Sequence, residues 1–260
     1  MLCKSVARTI QVITVINFTG TSMHIHILKN LLNSEQLAKA RGMLIQAKWG
    51  SGHLSGGNEE NKRNTELAPE CPVYIDLLRL VESSLRESLD FQVHAWPRYM
   101  TRPIISRYEE GMFYKEHTDF PVANFLHSAA SPAHRGLAPV GTNYVRTDMS
   151  ITLFLSDPDS YNGGELTFSN AGEVQRYKLP AGSAILYPTG VPHSVSMVTR
   201  GIRTAAIFWV QSMFPNESQR LAVTQAYHLH NSVEQALPGS PQAQQAEVNF
   251  HNVFRLFAEV

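Results

Sequence analysis

The feature that most constrains the fold is a series of short segments, rich in β-branched and aromatic residues and separated by turns, that begins near residue 91. Eight such segments occupy about 120 residues, and no helix-length pattern lies between them. They span 91–96, 100–108, 143–156, 164–169, 173–178, 183–187, 193–198 and 202–212. Closely spaced short strands are typical of an antiparallel barrel or jelly roll, whereas parallel βαβ units require a helix between strands. The sequence therefore predicts a mainly β, α+β chain with a jelly-roll core.

Helices are predicted on both sides of this core. Asn33 followed by Gln36, and Asn216 followed by Gln219, have the spacing of a capping box at a helix start. The flanking elements predicted from these signals and from apolar periodicity are a strand over 23–28, a helix over 34–48, an exposed loop over 50–64, a helix over 72–88 and two helices after residue 212.

The chain length of 260 residues suits one full-sized domain with appendages. We expect four parts: an N-terminal extension over 1–22, a supporting strand and helices over 23–97, a catalytic core over 98–212 and a helical segment over 213–260. Residues 124–141, rich in Ala, Ser, Pro and His, are too long for a hairpin turn and predict a lid or binding loop.

Composition narrows the class of protein. The 22 basic and 22 acidic residues cancel, so no basic field favours nucleic acid as a partner. No run of 18 apolar residues predicts a membrane span. Residues 1–22 make a poor secretory signal, because Gln11, Thr14 and Asn17 interrupt the apolar stretch. We therefore expect a cytoplasmic protein without nucleic-acid or membrane partners. Its two cysteines are too few for a disulfide framework.

Metal chemistry is indicated by eleven histidines and by the triplet His117-Thr118-Asp119. On an extended segment, residues i and i+2 point to the same side, so His117 and Asp119 can converge on one ion. His193, on a distant strand of the same barrel, would complete two histidines and one carboxylate, the facial set of non-haem Fe(II) oxygenases. The alternative is that the first two are exposed loop residues and His193 is a core histidine.

Arg203 decides between these interpretations. The alternation of the last predicted strand places Arg203, Ala205, Ile207 and Trp209 on one face, so the guanidinium is expected to be buried and to need an anion. A dicarboxylate cosubstrate that chelates iron with one end would supply that anion. Arg200 is the rival, but we expect it to be solvated in a hairpin turn over 198–201 that joins the strand of His193 to that of Arg203.

Beyond these residues, the sequence resembles the bacterial PKHD-type hydroxylases, within the prolyl-4-hydroxylase-like group of Fe(II)/2-oxoglutarate dioxygenases. The resemblance runs from about Met23 to Val260. The motifs that carry it stand in order as Arg107-Tyr108, Gly111-Met112, His117-x-Asp119, Arg146-Thr147-Asp148-Met149-Ser150, Thr152-Leu153-Phe154-Leu155-Ser156, Gly163-Gly164-Glu165-Leu166, Leu179-Pro180-Ala181-Gly182, Tyr187-Pro188, His193 and Thr199-Arg200-Gly201-x-Arg203.

The resemblance implies a double-stranded β-helix core, Fe(II) at His117, Asp119 and His193, and 2-oxoglutarate at Arg203. Tyr108 matches a tyrosine that in relatives hydrogen-bonds the cosubstrate, although it can equally be a core aromatic. The implied reaction uses O2 to hydroxylate an unactivated C–H bond and releases succinate and CO2, with L-ascorbate as the reductant that restores oxidised iron. The implied substrate is a peptidyl proline or lysine, with a small molecule as the alternative.

Two other functions use the same ligands. The first is a non-catalytic, cupin-like metal-binding or sensory barrel, which has no need of a buried arginine ten residues after a ligand. The second is a zinc hydrolase, which is disfavoured because no acidic residue has the spacing of a general base. The oligomeric state stays open, with a homodimer as one candidate.

Overall fold

A computed structural model describes residues 24–55, 58–124, 144–170 and 172–260. The expected extension over 1–22 and most of the expected loop over 124–141 lie outside these ranges. Within them the chain is rich in β-sheet, as predicted, and has five α-helices. The helices are α1 (Ser34–Ile45), α2 (Pro72–Glu87), α3 (Leu89–Ala95), α4 (Glu217–Ala236) and α5 (Pro241–Phe257). None of these five helices combines the length and apolarity needed to cross a bilayer.

A large antiparallel sheet forms one side of the molecule. Its strands, numbered along the chain and given in spatial order, are β1 (His26–Leu28), β14 (Ala184–Pro188), β10 (Met149–Phe154), β17 (Arg203–Ser212), β6 (Ile104–Tyr108), β4 (Thr65–Leu67) and β2 (Trp49–Ser51), while β5 (Pro97–Met100) pairs with the end of β17. The ten-residue β17 lies between β10 and β6, so its side chains are central to the sheet.

A smaller antiparallel sheet faces it. Its spatial order is β13 (Glu173–Tyr177), β12 (Leu166–Asn170), β15 (His193–Val195), β7 (Phe113–His117) and β3 (Lys62–Arg63). Two ribbons complete the described strands: β8 (Val122–Asn124) with β9 (Tyr144–Arg146), and β11 (Tyr161–Asn162) with β16 (Arg200–Gly201). The strand pair β15 and β7 brings two histidines together, because His193 stands directly opposite His117.

The large sheet separates the hydrophobic core from the site. Along β17, Ala206, Phe208 and Val210 pack with residues of α1, α2 and α3 in the main core. The alternate side chains Arg203, Ile207 and Trp209 line a cavity on the opposite face. Strand periodicity alone produces this division, because successive residues point to opposite faces of a sheet. The predicted face assignment of β17 is confirmed.

Helix starts follow the predicted caps. The Asn33 side chain accepts the backbone N–H of Gln36 at 2.9 Å, and the Gln36 side chain accepts the backbone N–H of Asn33 at 2.9 Å. Asn216 and Gln219 form the same reciprocal box at the start of α4. A capping box satisfies N–H groups that lack partners in the first turn of a helix, which makes it a reliable signal in sequence.

The strand predicted over 91–96 is wrong, because this segment lies in α3. Ser88 caps that helix by accepting the backbone N–H of Phe91 at 3.2 Å. Phe91, Val93 and Ala95 are all buried, and their alternation resembles that of a strand. A seven-residue helix that packs against α2, α4 and β1 buries residues on more than one face, which removes the usual helical periodicity.

Two further predictions need correction. Residues 50–64 are not simply an exposed loop: they contribute to β2 and β3, and Lys62 and Asn64 are buried. Residues 198–201 are not a hairpin turn between the strands of His193 and Arg203, because β15 belongs to the small sheet and β17 to the large one. The segment crosses between sheets, with Gly201 in the left-handed region (φ 78°) and paired with Tyr161.

A buried ion pair closes one side of the space between the sheets. Lys62 Nζ, on edge strand β3 of the small sheet, lies 2.8 Å from Glu66 Oε1 on β4 of the large sheet. Their side chains are only 5% and 10% exposed. Lys62 Nζ also donates to the Gly52 carbonyl at 2.9 Å and to the hydroxyl of Ser55. The ammonium group therefore has an acceptor for each of its three protons.

We predict that Lys62→Met destabilises the fold by about 3 kcal/mol, because it leaves the Glu66 carboxylate buried and uncompensated. The double variant Lys62→Met/Glu66→Leu should recover most of this loss, since it removes both charges. Urea unfolding measures both effects. Arg79→Ala is the control: its ion pair with Asp76 is 3.7 Å long and exposed, so a loss below about 0.5 kcal/mol is expected. Equal losses for Lys62→Met and Arg79→Ala would contradict the prediction.

Candidate metal and cosubstrate site

The space between the two sheets forms a cavity of about 190 Å³. The small sheet contributes His117, Leu166 and His193 to its wall, and the large sheet contributes residues of β4, β6, β10, β14 and β17. The Lys62–Glu66 pair lies on the same wall. All five site residues named from the sequence, His117, Asp119, His193, Arg203 and Tyr108, line this cavity.

Three potential metal ligands converge in it. Asp119 Oδ1 lies 3.8 Å from His117 Nε2 and 3.8 Å from His193 Nε2. The three ligand atoms all lie within 4.8 Å of one another. The two histidines come from directly paired positions of β7 and β15, and Asp119 follows β7 by two residues. The predicted convergence of these three side chains is therefore present.

The orientation of both imidazoles suits metal binding. His117 Nδ1 lies 2.9 Å from the Lys115 carbonyl, and His193 Nδ1 lies 2.9 Å from the Val191 carbonyl. A carbonyl can only accept, so each Nδ1 carries the proton and each Nε2 presents a lone pair to the cluster. Histidines that bind metals usually donate their second ring N–H in this way, which holds the ring in place.

Asp119 is held by two donors on its other oxygen. Ser150 Oγ donates to Asp119 Oδ2 at 2.7 Å, and Trp209 Nε1 donates to the same oxygen at 2.9 Å. These bonds leave Oδ1 directed at the histidines. Ser150 and Trp209 belong to neighbouring strands and pair directly in register, so the large sheet orients a ligand that belongs to the opposite side of the cavity.

The local electrostatics keep His117 neutral. Burial and the neighbouring His193 lower the pKa of His117 to about 4. A neutral imidazole is the form that binds a metal ion, since protonation removes the lone pair. Two imidazole nitrogens and one carboxylate oxygen on one side of a cavity form the facial ligand set of non-haem iron oxygenases, so these residues fit Fe(II).

Arg203 is buried, and no carboxylate among the described residues pairs with its charge. The residue is 1% exposed, and neither Nε nor Nη1 has a hydrogen-bond acceptor among the described residues. Its guanidinium carbon lies 5.3 Å from the ring centre of Tyr108 and 5.6 Å from that of Phe154. Both rings are within cation–π distance of the guanidinium, which stabilises the cation but does not neutralise its charge.

Tyr161 is a polar residue beside Arg203 that the sequence analysis missed, although it is not among the residues that line the cavity. Its hydroxyl is buried beside the Arg203 guanidinium, and burial raises its pKa although Arg203 opposes the shift. A side chain at Gly164 would come within 3.0 Å of both Tyr161 Cε2 and Arg203 Cδ, so the two side chains lie together against this glycine. Arg203 and Tyr161 thus offer donors at one place, which is the arrangement expected around a carboxylate.

The other predicted residues have clear positions. Tyr108 pairs in register with Arg203, whose guanidinium carbon lies over the tyrosine ring, and burial raises the pKa of the Tyr108 hydroxyl above its usual value. Arg200 lies exposed on β16, with Nη2 3.5 Å from Asn162 Oδ1. Trp209 could have been found from its shared face with Arg203, whereas Tyr161 has no periodic pattern that relates it to the site.

Comparisons with known proteins agree with this geometry. Residues 103–211 match the family model of the 2OG-Fe(II) oxygenase superfamily. A PKHD-type hydroxylase of Xanthomonas campestris pv. campestris (strain B100) is 35% identical over 235 residues, which cover 90% of this chain and 98% of the relative. A PKHD-type hydroxylase of Variovorax paradoxus (strain S110) is 36% identical over 242 residues, with 92% and 100% covered.

Among solved structures, the non-haem α-ketoglutarate-dependent carbocyclase SnoK from nogalamycin biosynthesis matches with a TM-score of 0.51 at 10% identity, over 74% of this chain and 81% of that chain. This likeness concerns the fold alone. The family match and the site together define an iron- and 2-oxoglutarate-dependent dioxygenase. Within that superfamily, the chain belongs to the PKHD-type hydroxylases.

Proposed function

We propose that this enzyme hydroxylates an unactivated C–H bond of a peptidyl substrate, such as a proline or lysine residue, or of a small molecule. One atom of O2 enters the substrate and the other enters succinate, which forms with CO2 from 2-oxoglutarate. The observation that carries the proposal is that the His-Asp-His cluster lines one cavity with Arg203, whose Nε and Nη1 have no acceptor among the described residues. A metal-binding barrel without turnover has no use for this second feature.

Nε2 of His117, Oδ1 of Asp119 and Nε2 of His193 would hold Fe(II) on one side and leave the side toward the cavity open. Bound Fe(II) supplies the redox-active centre at which O2 is activated with electrons from the cosubstrate. The protein orients the ligands through the bonds of Lys115, Val191, Ser150 and Trp209 described above. The apolar side chains of Ile104, Ile207 and Leu166, which line the cavity, would also limit the access of water to the site.

Arg203 would bind the far carboxylate of 2-oxoglutarate through its free edge, in a two-pronged ion pair. The Tyr161 hydroxyl would donate a further hydrogen bond to the same carboxylate. Tyr108 would hold the guanidinium plane in position, and as a protonated phenol it can also donate a hydrogen bond into the cavity. Burial costs Arg203 the free energy of hydration, and a bound carboxylate would offset this cost. The pocket would therefore favour a cosubstrate whose far carboxylate reaches Arg203 while its other end binds the metal.

The family context supports several finer proposals. The two facing antiparallel sheets would be the halves of a double-stranded β-helix over 98–212, supported by 23–97 and 213–260. L-ascorbate would restore iron that is oxidised without substrate turnover. The chain would act in the cytoplasm, as a monomer or a homodimer.

Loss of any metal ligand should abolish stoichiometric iron binding. We expect His117→Ala, Asp119→Ala and His193→Ala each to retain less than about a tenth of the Fe(II) of the wild type, because two ligands hold a labile divalent ion poorly. Metal analysis after anaerobic dialysis measures this. Asp157→Ala, an exposed carboxylate paired with Arg41 outside the cavity, is the control and should bind iron normally. Tight iron binding by all three variants would reject the assignment.

Arg203→Ala should leave iron binding intact and raise the KM for 2-oxoglutarate steeply. A charge-assisted pair in a buried pocket is worth about 2–4 kcal/mol, or roughly 30- to 1000-fold in affinity. Arg203→Lys should recover part of the loss, since it keeps the charge without the fork. The measurements are succinate formation and the visible charge-transfer band of the anaerobic Fe(II)–2-oxoglutarate chelate.

The exposed Arg200 is the matched control for this experiment, and Arg200→Ala should change the KM for 2-oxoglutarate less than about twofold, as expected for a solvated side chain. The opposite result, in which Arg200→Ala loses 2-oxoglutarate turnover and Arg203→Ala keeps it, would overturn the cosubstrate assignment.

Tyr161→Phe should weaken 2-oxoglutarate binding about tenfold without loss of iron, because it removes one hydrogen bond to a charged group. Anaerobic titration of the Fe(II) protein with 2-oxoglutarate measures the change. Tyr177→Phe is the control, since the Tyr177 hydroxyl donates to Gln175 at 2.8 Å on the small sheet. Equal affinities for Tyr161→Phe and Tyr177→Phe would place the Tyr161 hydroxyl outside the cosubstrate pocket.

A further inference from the structure

A buried carboxylate in the cavity wall has no part in the metal and cosubstrate chemistry described above. Glu66, on β4, lines the same cavity as His117, Asp119 and His193, and its side chain is 10% exposed. Neither Nε nor Nη1 of Arg203 bonds to it. Glu66 is therefore available to a ligand other than 2-oxoglutarate, whose carboxylates it would repel.

The hydrogen bonds of Glu66 leave one of its two oxygens free. In the described part of the chain, Oε1 accepts from Lys62 Nζ at 2.8 Å, from Asn64 Nδ2 at 3.4 Å and from the Ser55 hydroxyl. Oε2 accepts from none of these groups. A carboxylate has about four lone-pair sites, and a buried acceptor without a donor costs free energy, so Oε2 is suited to accept a hydrogen bond from a bound molecule.

The donors beside Glu66 are already in use. Lys62 directs its three protons at Glu66, at the Gly52 carbonyl and at Ser55. Ser55 has a single hydroxyl proton, for which Glu66 and the Gly52 carbonyl are both in reach. This wall can therefore accept a hydrogen bond from a substrate, whereas its Lys and Ser donors are occupied. A substrate that binds here must present an N–H or O–H group.

The same wall stands close to a candidate metal ligand. Lys62 Nζ lies 5.2 Å from the ring centre of Tyr114, and that ring stacks on the ring of His117 with 3.6 Å between centres. Lys62 and Tyr114 pair in register on β3 and β7, so strand pairing sets this contact. Only the side chains of Lys62 and Tyr114 stand between Glu66 and His117 along this path.

We propose that Glu66 determines substrate specificity by accepting, through Oε2, a hydrogen bond from the side-chain ammonium of a lysine residue. This inference rests on the proposed hydroxylase function and selects lysine from the substrates considered there. The lysine ammonium offers three donors at the end of a four-carbon chain, so it can reach Glu66 while those carbons lie beside the metal ligands. The substrate ammonium and Lys62 then share the carboxylate, with one on each oxygen.

Proline does not fit this wall. A proline residue has no side-chain donor and no backbone N–H, so it leaves the buried Oε2 without a hydrogen bond. Lysine instead makes a charge-assisted bond, which is about twice as strong as a bond between neutral groups.

Peptide binding to the anaerobic Fe(II)–2-oxoglutarate protein tests the proposal. The probes are peptide arrays that share one set of flanking sequences and carry lysine, norleucine or proline at the centre, since norleucine keeps the four side-chain carbons without the ammonium. By fluorescence anisotropy, the wild type should bind the best lysine peptide at least about tenfold more tightly than its norleucine counterpart. No preference for lysine over norleucine and proline, including no binding of any peptide, would overturn the proposal.

Two variants assign the preference to Glu66. Glu66→Gln should weaken binding of the lysine peptide at least about tenfold, because the amide oxygen faces Lys62 and the NH2 group then faces the substrate ammonium. Lys62→Met/Glu66→Leu leaves no buried charge unpaired, so it decides the question even if Glu66→Gln does not fold, and it should bind lysine and norleucine peptides equally.

Glu109→Gln is the matched control, because Glu109 pairs with Arg107 at 2.7 Å and is not among the residues that line the cavity. It should keep the wild-type preference for lysine. A lysine preference that persists in the folded variants of Glu66 would reject the assignment.

Failure of the hydroxylase function would give a different result. In that case the wild-type protein would neither bind 2-oxoglutarate anaerobically nor form succinate from it with any peptide. A wild-type protein that forms succinate but shows no preference for lysine would reject the role of Glu66 alone.

Discussion

The burial of the Arg203 guanidinium is the constraint on which the site depends. The residue lies at the start of the central strand of the large sheet, and its Nε and Nη1 have no acceptor among the described residues. A buried charge costs several kcal/mol of free energy unless an anion compensates it. The rings of Tyr108 and Phe154 lie within cation–π distance of the guanidinium but supply no negative charge. We propose that a carboxylate ligand provides this compensation.

Both sheets contribute to the positions of the candidate metal ligands. The small sheet provides the paired histidines His117 and His193, and backbone carbonyls set their tautomers. The large sheet provides Ser150 and Trp209, which orient Asp119. Geometry at the metal therefore depends on the distance between the sheets. The buried Lys62–Glu66 pair joins them at the edge of the cavity, which connects fold stability to the positions of the ligands.

Much of the fold and of the site could be predicted from the sequence because the signals are local. Asn33 and Gln36 are three residues apart, and they form the capping box that their spacing predicts. Arg203 and Trp209 share a face because strand residues alternate with a period of two. The same rule predicted that His117 and Asp119 lie on one side, and they do, although Asp119 lies two residues beyond the end of β7. Each of these inferences needs only the geometry of a single element.

The sequence by itself determined the residue types of the site, the mainly β class and the faces of the central strand. Only the tertiary structure decided that β15 and β17 lie in different sheets, that residues 91–96 are helical, and that Tyr161 reaches Arg203. These features arise from contacts between residues far apart in the chain. Such contacts override local patterns, because burial of Phe91 and its neighbours stabilises the fold by more than intrinsic strand or helix propensity does.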